Sequence, residues 1–105
     1  MQLGANIDGE AAYDNSGWSV SLDGNHLAIG STKNEGNGTS AGHVRVYESS
    51  GSSWMQLGAN IDGEAAYDNS GWSVSLDGNH LVIGAPYNAS NGFDAGHVRV
   101  YYLPE

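Results

Sequence analysis

The chain has 105 residues, with three Lys or Arg against twelve Asp or Glu, a formal charge of −9. That balance argues against nucleic acid and anionic membrane as partners. There is no cysteine, which removes disulfides and thiolate metal sites without fixing a compartment. Sixteen glycines but only two prolines, spaced among Val, Ile, Leu and Trp, point to tight turns between strands rather than a disordered linker. No apolar run approaches ~18 residues, and no basic stretch leads into an apolar one. The chain as it stands is expected to be soluble and to lack an export signal.

Met1 to Leu27 recurs unchanged as Met55 to Leu81, an offset of 54 positions. The copies then diverge, Ser31-Thr32-Lys33 against Ala85-Pro86-Tyr87, and converge again at Ala41 to Tyr47 and Ala95 to Tyr101. A fixed period of this size marks units that cannot bury their own faces and stack on copies of themselves. Met1-Gln2-Leu3 reads as a strand by analogy with Ser53 to Leu57. Gly4 to Ser16 is polar and turn-forming, a crossover loop. Trp18 to Leu22 alternates apolar with small polar residues, a strand signal. Asp23-Gly24-Asn25 is a hairpin turn, and His26 to Gly30 returns with Leu27 and Ile29 on one face. Ser31 to Ala41 is a longer loop. Gly42 to Tyr47 is a third strand, with Val44 and Val46 on one face and His43, Arg45 and Tyr47 on the other. Trp54 to Leu57 follows as a fourth.

Four short antiparallel strands per repeat, with almost no helix signal, predict an all-β chain of two four-stranded β-propeller blades. A sandwich gives no reason for the repeat, and a parallel solenoid would not carry hairpins inside each period. The first repeat spans 1–51, a fourth-type strand plus three strands of blade 1. The second spans 52–105, the fourth strand of blade 1 plus three strands of blade 2.

Gly71-Trp72-Ser73-Val74-Ser75-Leu76, Leu81 to Pro86, Gly96 to Tyr101 and Gly51 to Leu57 together resemble the FG-GAP repeat of integrin-like β-propellers, in its bacterial-type subgroup. Gly84-Ala85-Pro86 matches the motif's second half, while the first copy has Gly30-Ser31-Thr32. Ser16-Gly17 and Ser70-Gly71 stand where Phe-Gly is usual. The resemblance implies a propeller, usually in an extracellular or cell-surface protein, with a binding or scaffolding role. The calcium loops of many such blades do not carry over, because Asp23-Gly24-Asn25 and Asp77-Gly78-Asn79 offer one carboxylate each where calcium needs about six to eight oxygens. The perfect block identity leaves a recent duplication, an engineered or reconstructed sequence, and a pair of blades excised from a longer protein all open.

No catalytic constellation emerges, so no enzyme, cofactor or metal is expected. Asp8, Glu10 and Asp14, with Asp62, Glu64 and Asp68, read as solvated loop carboxylates. His26, His43, His80 and His97 stand at strand starts without an acidic partner at ligand spacing and are expected to hydrogen-bond between strands or blades. Arg45 and Arg99 are expected to pair with a neighbouring blade's carboxylate. Ser19 and Ser21 lack a general base. Tyr13, Trp18, Tyr67 and Trp72 are candidates for filling the space between blades or for stacking on a sugar. Asn37-Gly38-Thr39 and Asn88-Ala89-Ser90 match the glycosylation triplet.

The expected function is a non-catalytic module that assembles with copies of itself; the alternative is a lectin-like glycan binder with sites between blades. Glu105 aligns with Gly51, so the second repeat stops before its fourth strand, and Met1-Gln2-Leu3 is a fourth strand without a blade. Head-to-tail association would add Met1-Gln2-Leu3 to the edge of the strand bearing Val98, Val100 and Tyr101 in a neighbour. Two blades per chain make the count even. Four chains and eight blades are favoured, with three chains and six blades as the other closed ring.

Overall fold

A computed structural model describes residues 1–103. Eight strands follow one another: β1 (Ser16–Asp23), β2 (His26–Ser31), β3 (His43–Ser50), β4 (Ser53–Gln56), β5 (Ile61–Asp62), β6 (Ser73–Asp77), β7 (His80–Ala85) and β8 (His97–Tyr102). All described pairings between them are antiparallel, and no helix occurs among the described residues. The first sheet runs β1-β2-β3-β4, with β5 also on β3; the second runs β6-β7-β8. The expected strand runs are recovered in both repeats except at two places. Met1 to Leu3 is in no strand; Gln2 Nε2 donates to Asn6 Oδ1 at 2.9 Å, and the Leu3 carbonyl accepts from Trp54 Nε1 at 3.0 Å. The second crossover loop, read as strandless, contributes β5. Its Ile61 and Asp62 pair with Val44 and His43, because an extended stretch lying along β3 satisfies backbone groups that this end of β3 would otherwise leave open.

The hairpins form where the turn chemistry puts them. Asp23 pairs with His26, and the two-residue loop begins at Gly24 with φ 61°, a conformation glycine reaches without a Cβ penalty. Period-two alternation then sorts each sheet into two unlike faces. In the first sheet Ala28 lies opposite Val46, and Gly30 opposite Val44, giving a face of small side chains. In the second, Leu76 lies opposite Leu81 and Val74 opposite Ile83, giving a face of large ones. The small face of the first sheet meets the large face of the second. Ala28, Val44 and Val46 form one buried core with Leu76, Leu81, Ile83 and Leu103. Leu81 and Ile83 are fully buried, each contributing about 1.5–3 kcal/mol.

Candidate functional site

The seam between the sheets is the most elaborated surface of the molecule. The chain from Gly63 to Gly71 straps across the first repeat, its backbone N–H groups donating to first-repeat carbonyls: Gly63 to Gly42 (2.8 Å), Tyr67 to Thr39 (2.6 Å), Asn69 to Ser40 (3.0 Å) and Ser70 to Ala41 (2.9 Å). Ser19 Oγ donates to the Gly71 carbonyl at 2.7 Å, and Ser21 Oγ accepts from the Leu76 N–H at 3.0 Å. Asp23, the lone carboxylate of its hairpin, accepts from the Gly78 N–H. Contact is close enough to demand glycine. A Cβ on Gly30 would lie 2.1 Å from the Gly71 carbonyl oxygen, and one on Gly63 would lie 2.0 Å from that of Ala41. Trp18 and Trp72 meet across the seam at 5.0 Å between ring centroids, and the Trp72 ring also meets Tyr87 edge-on at 5.8 Å.

Much of each surface used in the seam exists a second time, uncovered. Val44 is 0 % exposed and its counterpart Val98 is 62 %; Val46 is 2 % and Val100 is 64 %. On the opposite side Leu76 is 7 % exposed and its counterpart Leu22 is 64 %. Tyr101 is half-buried on the face that carries Arg99, where the guanidinium lies 5.5 Å from its ring centroid. Met1 and Leu3 are exposed.

Two features of the loops differ from the sequence reading. Asp14 and Asp68 are not solvated but buried, each accepting from an asparagine twenty residues on: Asn34 Nδ2 at 2.9 Å and Asn88 Nδ2 at 2.8 Å. The signal was present in the repeat itself, since Asn34 and Asn88 persist where Ser31-Thr32-Lys33 and Ala85-Pro86-Tyr87 differ. Asn88 is therefore a structural amide rather than an exposed glycosylation acceptor. Three of the four histidines do have acidic partners among the described residues. His26 Nε2 is 3.3 Å from a Glu48 oxygen, His97 Nδ1 3.6 Å from Glu64, and His43 Nδ1 3.9 Å from Glu10. Only the fold brings these pairs together, because Glu10 and Glu64 each stand 33 positions from their histidine. His43 is fully buried, and neither ring nitrogen has a hydrogen-bond partner. Burial pushes its imidazole below its ordinary value, with Arg45 adding to the fall and Glu10, Asp14 and Asp62 opposing it.

The arginines also depart from expectation. Arg45 donates to Tyr47 Oη, Ser16 Oγ and the Asp8 carbonyl, all in its own repeat, and Arg99 donates to the Asp62 carbonyl and Ser70 Oγ in the second. Each anchors the strap of its repeat to its own sheet, so these hydrogen bonds run to neutral oxygens within a repeat rather than to a neighbouring blade's carboxylate.

Tyr13 and Tyr67 both adopt φ 67°, which is uncommon for a residue with a Cβ, and both rings are exposed. Tyr67 borders a groove of about 800 Å³ with Ala65, Ala66, Tyr87 and Phe93, above the Asp68–Asn88 pair. The groove at Tyr13 has Lys33 in place of Tyr87 and lacks the aromatic pair.

With this geometry in hand, comparison with known families finds the FG-GAP repeat model matching residues 7–47 and 59–101. Comparison with curated proteins finds no match.

Proposed function

We propose a function from one premise: the chain belongs to the FG-GAP repeat family and is a β-propeller-type module. Its function is to assemble head to tail with copies of itself into a closed propeller ring, without catalysis. The observation that carries this reading is the duplicated, half-used seam. Val98 and Val100 stand open where Val44 and Val46 are covered, and Leu22 stands open where Leu76 is covered. The open small face of one chain therefore fits the open large face of the next by contacts that largely repeat those holding the two sheets together, with Val82 in place of Ala28. A heterologous contact of this kind closes into a ring when its rotation permits. Exposed apolar faces of this sort are otherwise aggregation liabilities.

Backbone groups extend the fit. β4 pairs with β3 through Gln56 opposite Tyr47 and Met55 opposite Glu48. By the same register, Gln2 and Met1 of a neighbour would pair with Tyr101 and Tyr102, and Ile7 and Asp8 would lie along His97 and Val98 as β5 lies along β3. Leu3 would then sit as Leu57 does, half-buried against the core. Ser19 and Ser21, the serines nearest to a nucleophile in the sequence reading, are engaged in the seam, which supports a structural role for them. We assign the ring four chains and eight blades, with three chains and six blades as its alternative. Native mass spectrometry tests this directly: a discrete tetramer or trimer is expected, and a stable monomer or plain dimer at micromolar concentration overturns it.

The second reading is a glycan binder, favoured by the strained, exposed Tyr67 beside Tyr87 and Phe93 over a polar floor. Aromatic faces stack on sugar rings. A glycan array on the assembled protein checks it, with binding lost in Tyr67→Ala expected and an array without hits removing it.

A further inference from the structure

We propose that Glu10, Asp14 and His43 form a binding site for a divalent first-row transition-metal ion, of which zinc is the representative. One carboxylate oxygen from each acid and one imidazole nitrogen lie within 4.8 Å of one another. The observation that separates this trio from an ordinary acidic loop is His43. Its side chain has no solvent exposure, and both ring nitrogens lack a hydrogen-bond partner. An unsatisfied buried polar group costs about 1–3 kcal/mol, so the His43 nitrogens call for a partner. Glu10 Oε1 stands 3.9 Å from Nδ1, too far for a hydrogen bond. That separation suits an ion lying between them, since each ligand atom of a bound zinc sits about 2.0–2.2 Å from the metal.

The surroundings favour the ion's charge and its chemistry. Asp14 is buried and oriented by Asn34 Nδ2, so it arrives with its rotamer fixed by an outer hydrogen bond, as metal-ligating carboxylates commonly do. Asp62 adds a third nearby carboxylate, against the single guanidinium of Arg45. Glu10 is exposed, and its Oε2 accepts from Asn60 Nδ2 at 2.8 Å, which orients the carboxylate while Oε1 faces His43. Imidazole with carboxylates selects zinc and its neighbours over calcium, which prefers oxygen-only shells. β5 of the second repeat pairs with the strand that carries the imidazole, Asp62 opposite His43. All three ligands come from one chain, and the proposal holds whether or not chains assemble.

The test adds zinc chloride to chelator-treated protein, reading the His43 imidazole nitrogens by NMR and the Tm by calorimetry. One ion at His43 and a Tm higher by several degrees are expected, because a ligand that binds only the folded state stabilises it. Glu10→Gln should keep the fold and weaken zinc binding at His43 about tenfold or more. Glu48→Gln, beside His26, should leave binding at His43 unchanged. His43 resonances that ignore zinc in tenfold excess, or Glu10→Gln binding as tightly as the parent chain, overturn the site. Calcium raising Tm as much as zinc would reassign the ion class and overturn the proposal as stated.

Discussion

The two repeats share their strand sequences almost throughout, yet they do not share an environment. Val44 and Val46 lie in the core, whereas Val98 and Val100, in the same local sequence, face outward. The first repeat gives its small face to the seam and leaves Val20 and Leu22 of its large face open, although Ile29 on that face is buried; the second puts its large face into the seam and leaves Val98 and Val100 open. Burial here is thus a property of having a following neighbour, not of the residues themselves. A unit of this kind is stable by its interfaces, as expected where each repeat touches only the ones beside it. The equivalence is broken on the strand face by Val82, which stands where Ala28 lies in the seam, and in the loop the strap crosses by Phe93 and Asp94 in place of Thr39 and Ser40. A seam between copies would therefore hold two more methyl groups than the seam within a chain, and must open slightly to take them.

The sharpest way to break the comparison is to charge one face and then its counterpart. Val44→Asp places a carboxylate in the covered core and should destabilise the chain by several kcal/mol, enough to unfold it, as read by urea denaturation. Val98→Asp should cost the isolated chain no more than about 0.5 kcal/mol. The same substitution should abolish assembly, converting the native mass spectrum to monomer. Equal destabilisation by the two would mean that the faces are not distinguished as described.

A smaller effect separates the two glycines at the matching close approach. Gly30→Ala forces a Cβ onto the Gly71 backbone and should cost about 1–3 kcal/mol in thermal or urea unfolding. Gly84→Ala meets only Ser73, whose hydroxyl can turn aside, so the monomer should unfold almost as before. In the ring, Gly84 would face Gly17 of the next chain, and the substitution should shift the assembly toward monomer at a given concentration.

The least effect, and the most specific, concerns pH. The folded His43 imidazole is held below its ordinary value of 6.5, so it contributes stability that is present above that value. As pH falls past about 6.5 the unfolded chain takes up the proton while the folded one resists, and this stability is lost progressively down to the lower folded value. Urea midpoints of chelator-treated protein from pH 7.5 to 5 should fall more steeply for the parent chain than for His43→Gln. Parallel slopes would show that His43 takes its proton as readily folded as unfolded.

Much of the blade was readable from local chemistry. Alternation at Trp18 to Leu22 and Val44 to Val46, and the Asp-Gly-Asn turns, are short-range instructions that hold wherever the segment sits, and β1, β2 and β3 appear where those instructions put them. The repeat itself foretold that sheets would stack. What local chemistry could not carry was anything set by the partner repeat. The loop at Ile61 and Asp62 has no strand pattern of its own and becomes β5 because β3 offers an open edge. Asp14, polar and set among turn residues, is buried because folding brings Asn34 Nδ2 to its carboxylate in place of water. His43 meets Glu10 only after the crossover folds back across the sheet. Sequence determined the strands, turns and repeat, since these depend on contacts a few residues apart. Tertiary structure alone decided which identical face is covered and which carboxylates meet a histidine, because those depend on distances closed by folding.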